Sequence, residues 1–346
     1  MARATPLSDD VAATGVAARH GVAVPATFKP APWCPGAHLQ TLWPYLLRRR
    51  PRPRFHRERL TLPDGDFLDV DWCGDGARAI VIVLHGLEGN SGSHYVRGLA
   101  AHLSALDLRV AVMHFRGCSG EPNRLPRSYH SGETGDIAWL VETLSQRHPR
   151  TPFAVVGYSL GGNVLLKWLA ELADAPSVTT AVAVSVPFEL HRAADRLQRG
   201  FSRVYQQQLV TRMRRSTERK FTRLRAPIAL DGLRRLRTFR QFDDQVTAPL
   251  HGFADATDYY TRCSSRQFLR RIRTPTLILH ARDDPFMTPD AIPTDRELAP
   301  SVRLELSARG GHVGFVAGHV PWRPQYWLEG RIAEHILPRV RSSLEK

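Results

Sequence analysis

Gly157-Tyr158-Ser159-Leu160-Gly161 stands between the apolar run 153–156 and a helical pattern that begins near Gly162. A serine on such a strand-to-helix turn is a nucleophile candidate. The turn is so tight that side chains two residues either side of the serine would clash, which calls for glycine at both places and pushes the Ser159 hydroxyl clear of the sheet. The competing reading is a glycine-rich connection in an ordinary α/β domain. What separates the two is whether an acid and a histidine follow in the right order.

On either side of this segment the chain alternates strand and helix patterns. Phe67-Leu68-Asp69-Val70-Asp71-Trp72 alternates apolar and acidic residues and predicts a half-exposed strand, whereas 79–84 is a continuous apolar run and predicts a buried one. Tyr95, Val96, Leu99, Leu103 and Leu106 share one helical face before a strand at 110–115, which makes a βαβ unit. A helix at 136–146, the strand into Ser159, a helix carrying Leu165, Trp168, Leu169 and Leu172, and a strand at 181–186 follow. After Pro187 the rhythm breaks, then resumes with strands at 276–280 and 302–306 and a closing helix near 325–337. The fold class expected is α/β: a mostly parallel, doubly wound sheet with an inserted helical cap. The domains read as a mobile leader over 1–27, a core over 28–187 and 273–346, and an arginine-rich cap over 188–272.

Acid and histidine are both available downstream. Asp283 and Asp284 follow the strand at 276–280, and His312, in Gly310-Gly311-His312-Val313-Gly314-Phe315, follows the strand at 302–306. Loops at the carboxyl edge of a parallel sheet converge on one crevice, so these segments can meet Ser159. His312 would take the hydroxyl proton and an aspartate would fix its tautomer and stabilise the imidazolium. Spacing alone lets either aspartate reach His312; we favour Asp284, with Asp283 capping or solvating the turn. The oxyanion of a tetrahedral intermediate needs preorganised backbone donors. Leu160 N–H, just after the serine, supplies one, and Leu87 N–H in the loop His85-Gly86-Leu87-Glu88-Gly89-Asn90 is our choice for the second.

Other features are weaker or point elsewhere. His102 and Asp107 make a His-x4-Asp pattern associated with acyltransferases, but both fall on or at the end of a packed helix and read as surface groups. His85, His114, His130 and His280 show no His-x-x-x-His or Glu-x-x-His spacing and read as structural or pocket-lining, so neither metal nor organic cofactor is expected. No phosphate-cradling Gly-x-Gly-x-x-Gly or Gly-Lys-Ser/Thr fingerprint is present.

Composition bounds the setting. The 346 residues carry a net charge of +15, almost wholly from arginine. No helix-turn-helix, zinc-finger or aromatic RNA-binding signature accompanies that charge, so nucleic acid is not expected as a partner. The insert sets Arg212, Arg214, Arg215, Arg219, Arg223 and Arg225 before Leu233-Arg234-Arg235-Leu236-Arg237-Thr238-Phe239-Arg240. We favour a solvated helix face packed on the core; the alternative is an amphipathic lid whose basic face meets an anionic membrane or substrate. Cys34, Cys73, Cys118 and Cys263 are scattered, with no Cys-x-x-Cys pair, which suits a reducing compartment. Charges at Asp9, Asp10, Arg19 and His20 break up any signal-peptide core, and no apolar run reaches 18 residues. The expectation is a cytoplasmic protein.

With these pieces in place, the sequence resembles an α/β hydrolase, and more narrowly the YheT-like branch (AB hydrolase family 4). The resemblance is carried by Phe28-Lys29-Pro30-Ala31-Pro32-Trp33, His38-Leu39-Gln40-Thr41-Leu42-Trp43-Pro44, Phe115-Arg116-Gly117-Cys118-Ser119-Gly120, Gly157 to Gly161, Phe242-Asp243-Asp244, Asp258-Tyr259-Tyr260, Asp283-Asp284-Pro285-Phe286 and Gly310 to Phe315. In that family the serine corresponds to Ser159, the histidine to His312 and the acid to the aspartate immediately before proline, Asp284. The resemblance implies hydrolysis of carboxylic esters, short-chain in bacterial relatives and acylglycerols or phospholipids in eukaryotic ones. A serine carboxylesterase is therefore the leading expectation, acting on a small-molecule ester or lipid. Its alternatives are a lipase or phospholipase at a membrane surface and a non-catalytic ligand-binding protein of the same fold.

Overall fold

The computed structural model describes residues 19–344, apart from 50, 77 and 173–177. Nine strands form one sheet: β1 (Val22–Pro25), β2 (His56–Thr61), β3 (Phe67–Cys73), β4 (Ile80–Leu84), β5 (Arg109–Met113), β6 (Phe153–Tyr158), β7 (Val178–Val184), β8 (Thr276–Ala281) and β9 (Val302–Ser307). Their order is β1-β9-β8-β7-β6-β4-β5-β3-β2, parallel except where β3 meets β5 and β2 meets β3. The doubly wound α/β sheet expected from the sequence is therefore present.

Alternation along β4 shows how the helices are placed. Ile80, Ile82 and Leu84 face one side with α3 (Gly135–Arg147) and α4 (Leu160–Glu171), through Ile137, Leu140, Val164 and Leu165. Val81 and Val83 face the other with α2 (His94–Ser104) and the C-terminal helix, through Leu99, Leu103, Ile332 and Ile336. Parallel strands covered on both faces read as unbroken apolar runs for this reason.

Three expectations are corrected at the edges. β3 was expected to be half-exposed, yet all seven of its residues are buried. Its acidic face is roofed by the neighbouring edge strand, because Arg57 pairs with Asp71 at 2.7 Å and Arg59 with Asp69 at 2.8 Å. That neighbour, β2, escaped the sequence reading because half its residues are charged. The leader assigned to 1–27 ends earlier than expected, since Val22–Pro25 runs parallel to β9 from Val22↔Arg303 to Pro25↔Leu306. Residues 1–18 lie outside the described residues. Pro25 is tolerated because an edge strand leaves a proline without a ladder bond to lose.

The sequence reading also missed helix α1 (Ala37–Leu47), which contains Pro44. It placed the end of the last helix at 337, before Pro338; the helix runs from Trp327 to Leu344 and continues through that proline. Tyr326 and Gln325 instead form a short strand, β11 (Gln325–Tyr326), against β10 (Val316–Ala317).

Between β7 and β8 the chain is helical: α5 (Leu190–Leu197), α6 (Ser202–Phe221), α7 (Phe239–Phe242), a π-helical turn at Asp243–Thr247, α8 (Ala248–His251) and α9 (Ala256–Cys263). Leu233, Leu236, Phe242 and Val246 form a small core of their own, while Arg212, Arg215, Arg234 and Arg235 are exposed. Its last part rejoins the main body: Leu269 and Ile272 are in the core beneath the sheet, and Ser265 N donates to Asn163 Oδ1. Among the described residues no helix is long and apolar enough to cross a membrane. The C-terminal helix is α10 (Trp327–Leu344).

Candidate active site

The elbow forms as the glycine argument requires. Ser159 has φ 52° and ψ −118°, between the end of β6 and the start of α4. A Cβ on Gly157 would lie 2.5 Å from the Gly161 carbonyl oxygen, and a Cβ on Gly161 would lie 2.5 Å from the carbonyl oxygens of both Leu84 and His85. No real Cβ occupies such a space, so β4, β6 and α4 can approach this closely only with glycine at both positions.

The loops after β8 and β9 bring the other groups to the serine. Ser159 Oγ lies 2.9 Å from His312 Nε2, and His312 Nδ1 lies 2.8 Å from Asp284 Oδ2. A carboxylate only accepts, so Nδ1 carries the proton and Nε2 is left to accept from the hydroxyl. Asp284 is 3% exposed, and its other oxygen accepts from Phe286 N–H at 2.8 Å. The two adjacent aspartates are thus separated by geometry. Asp283 points to the histidine loop instead of its own turn, with Oδ1 accepting from Gly311 N–H at 2.9 Å.

Several groups that hold His312 were not singled out by the sequence reading. The Phe286 ring stacks on the imidazole at 3.9 Å between centroids and 4° between planes. Thr41 Oγ1 accepts from His312 N–H at 2.9 Å, and Ser185 Oγ accepts from Val313 N–H at 3.0 Å. Gln40, fully buried on α1, accepts from Val316 N–H at 2.7 Å and donates to the carbonyls of Cys34 and Val316. Gly311 and Gly314 let α1 settle on this loop, since a Cβ on Gly314 would lie 2.2 Å from Gln40 O. The signal was in the His38 to Pro44 segment, but its link to a loop 270 positions away is a tertiary fact.

The loop after β4 approaches the serine from the other side. A Cβ on Gly86 would lie 3.3 Å from Ser159 Cβ, and Leu87 and Leu160 both line the cavity that contains Ser159 and His312. His85 shapes this loop from beneath. Its Nε2 accepts from Phe115 N–H at 3.1 Å, so its Nδ1 donates to Gly86 O at 2.7 Å, and burial pushes the imidazole down to about 3. His114 bonds Asp71, and His280 is buried within the field of Asp284 and His312, with its imidazole pushed down by burial to about 4. His130 lines the cavity. His102 is exposed on α2, and Asp107 pairs with Arg78, so neither joins the site.

The cavity, of about 160 Å³, is roofed by the helices between β7 and β8, which contribute Leu190, Leu197, Met213, Phe242 and Val246. The motifs within that segment lock it together. Asp243 accepts from Thr247 Oγ1 and from Tyr260 Oη, both at 2.6 Å, and burial raises its carboxyl to about 6. Asp244 accepts from Ala256 N–H, while Tyr259 Oη ties the roof to the core by accepting from Ser131 N–H. From the core side, Arg116 anchors its loop on Asp136 and Asp64, each at 2.7 Å.

A hydroxyl, an imidazole and a carboxylate joined in this order can move a proton from the hydroxyl while stabilising the cation formed. The comparisons with known proteins agree with the fold that carries them. A family model described as the alpha/beta hydrolase fold matches residues 79–318. The Escherichia coli protein named "Putative esterase YheT" is 45% identical over 89% of this chain and 92% of its own length. The mouse protein named Phospholipase ABHD3 is 28% identical over 89% of this chain and 77% of its own. Among solved structures, the Pyrococcus furiosus esterase Pf2001 superposes with a TM-score of 0.56 at 18% identity, covering 83% of this chain and 92% of that one, a likeness of fold. The chain belongs to the alpha/beta hydrolase family, in its YheT-like branch.

Proposed function

We propose that the chain is a serine carboxylesterase that hydrolyses short-chain carboxylic esters through an acyl-enzyme on Ser159. The observation that carries this reading is the unbroken hydrogen-bonded line from Ser159 Oγ through His312 to Asp284. Ser159 Oγ adds to the ester carbonyl while His312 Nε2 takes its proton, and the oxyanion is held by the N–H groups of Leu87 and Leu160. Collapse expels the alkoxide, which leaves as the alcohol with the proton from His312. A water then gives its proton to the same nitrogen and its oxygen to the acyl carbon, releasing the acid and restoring the serine. Asp284 stays ionised throughout and stabilises the imidazolium.

The domain reading supports this chemistry: residues 28–187 and 273–346 carry the reacting groups, and 188–272 limits what reaches them. Four free cysteines and a reading that needs no cofactor suit a reducing, cytoplasmic setting. A small ester is the partner we assign, and nucleic acid is not one. A fluorophosphonate probe tests the proposal. Labelling at Ser159, abolished by Ser159→Ala, is expected; a folded protein that neither labels there nor turns over any ester would sink it.

A second reading has its own observation. Phe201 and Val204 at the start of α6 are 49% and 52% exposed, and Phe201 lies against His38 of α1, whose Leu46 and Leu47 are 65% and 60% exposed. Apolar side chains among arginines suit a lipid surface, and a relative is named a phospholipase. Activity that rises with acyl length on anionic vesicles, and falls at high salt, would favour a lipase over a short-chain esterase.

A further inference from the structure

The cavity over Ser159 has a mixed lining: Leu190, Leu197 and Phe242 are apolar, and its polar groups include Ser128, Lys220 and His251 together with the carboxylates Glu88 and Asp243. Lys220 is the unusual member. It sits in the last turn of α6, 4% exposed, where a lysine would normally reach water. Its Nζ donates to the Arg127 carbonyl and, at 2.9 Å, to Ser128 Oγ, both neutral acceptors. The carboxylate it feels most, Asp66, is already bonded to Asn123 at 2.6 Å and Arg116 at 3.1 Å. Among the described residues, no carboxylate pairs with Lys220. A buried ammonium held by neutral acceptors alone is under-compensated, and burial pushes this one down to about 7. Two of its three N–H donors are accounted for, and the residue lines the cavity.

A lysine that served only to tie down the loop at 127–128 would have no need to line the cavity that holds the serine. His251 lines the same cavity, and its imidazole feels the charge of Lys220. Burial and nearby cations keep its imidazole neutral, so it offers a donor without a competing charge. We propose that Ser128, Lys220 and His251 form an anion-binding subsite, and that the preferred ester carries a carboxylate or phosphate on the portion that extends to them. The ammonium supplies the charge that a neutral ester leaves uncompensated, so the gain from an anionic ester is the loss of that penalty plus a charge-assisted bond. This rests on the esterase reading for the word ester, and not for the binding of the anion.

The test is a binding comparison on the full chain carrying Ser159→Ala, read by calorimetry on two matched pairs. Monomethyl adipate against dimethyl adipate places the charge on the acyl side. The butyrate ester of glycerol phosphate against monobutyrin places it on the alcohol side. The anionic member of at least one pair is expected to bind ten-fold or more tightly than its neutral partner, and the pair that responds identifies the side. Lys220→Gln, which keeps a donor for the Arg127 carbonyl, should reduce that advantage to less than three-fold, and Lys220→Met, which keeps the stem, should do the same. Each advantage is a ratio within one preparation, so loss of folded material cancels. Equal affinities within both pairs, or an advantage that survives both substitutions, overturns the proposal. Failure of the unmodified chain to hydrolyse any ester, anionic or neutral, would instead strike the esterase reading and leave this comparison standing.

Discussion

The cavity has a floor and a roof built on different principles. On the floor, at the carboxyl ends of β4, β6, β7, β8 and β9, position is fixed by backbone: Ser159 and Ser185 have φ 52° and 51°, and Gly157, Gly161 and Gly314 allow main chains to touch. The roof of α5 to α9 is held through side chains: Tyr260 Oη donates to Asp243, Asn163 Nδ2 donates to the Cys263 carbonyl, and Ser216 Oγ donates to Glu88. A backbone-defined site tolerates almost no change and keeps its chemistry constant. A side-chain-defined roof can be rebuilt while the floor stays, and we assign selectivity to it.

The largest effect should come from the floor's charge. Asp284→Asn leaves the shape but gives His312 the wrong tautomer and no counter-charge, and should lower kcat by on the order of 10⁴. Asp283→Asn keeps an oxygen for Gly311 N–H and should cost less than about 10-fold, since hydrogen bonding to the loop survives. Steady-state turnover of a short neutral ester measures both, and the reverse ranking would show that the acid is misassigned.

Glycine substitutions compare the two regions directly. Gly161→Ala drives a Cβ into two carbonyl oxygens of β4 and its loop, and should destabilise by about 3 kcal/mol or more. Gly200→Ala, between α5 and α6, meets nothing within 4 Å and carries only the penalty of φ 54°, about 1 kcal/mol. Chemical denaturation decides; equal losses would mean that the roof is as tightly determined as the floor.

How much of this was legible follows the same division. The elbow, an aspartate and a histidine able to reach it, and the succession of parallel strands along the chain could be read because each is local: a glycine pair, an apolar run, a loop after a strand. β1 and β2 could not, because one is four residues long and the other half charged, with its cost offset by Asp69 and Asp71 across the ladder. Thr41 and Gln40 carried a recognisable segment without a readable role, since their partners His312 and Val316 meet them only in three dimensions. Phe286 stood two residues from Asp284 in sequence, but nothing local says that its ring stacks on His312. The roof's helices were legible as an interruption and not as an arrangement.

Acid should weaken floor and roof together. Burial pushes His85, His130, His251 and His335 down to about 3 and His280 to about 4, so the folded chain holds these imidazoles neutral while the unfolded chain protonates them near 6.5. Their stability is fully present above 6.5 and is lost as pH falls toward the folded values, by about 1.4 kcal/mol per pH unit for each imidazole. Asp243, raised to about 6 by burial, works the other way over the carboxylate range, as do Asp136, Asp283 and Glu329, which burial also raises. Glu58, Asp66, Asp69, Asp71, Glu297 and Glu305, held low in the folded chain, act with the imidazoles. Urea midpoints from pH 7 to 4.5 should fall steeply; a flat profile would mean that these side chains are wet.

The smallest effect is the most informative about the seam. Glu88 belongs to the loop whose Leu87 N–H we assign to the oxyanion, and it faces both regions: one oxygen accepts from Tyr129 Oη at 3.0 Å on the core side, the other from Ser216 Oγ of α6 at 2.6 Å. Glu88 N–H also donates to Tyr129 Oη, at 2.8 Å, so the loop keeps its anchor when α6 lets go. Ser216→Ala removes one bond to a carboxylate, worth about 1.5–3 kcal/mol where desolvated and less at this half-buried seam. If floor and roof are independent, that loss loosens the roof alone: KM should rise about 3- to 10-fold while kcat stays within about 2-fold, because the donors that meet the transition state have not moved. A fall in kcat at constant KM would carry the opposite meaning. It would show that α6, through Glu88, sets the position of the oxyanion loop, and that the roof takes part in the chemistry it covers.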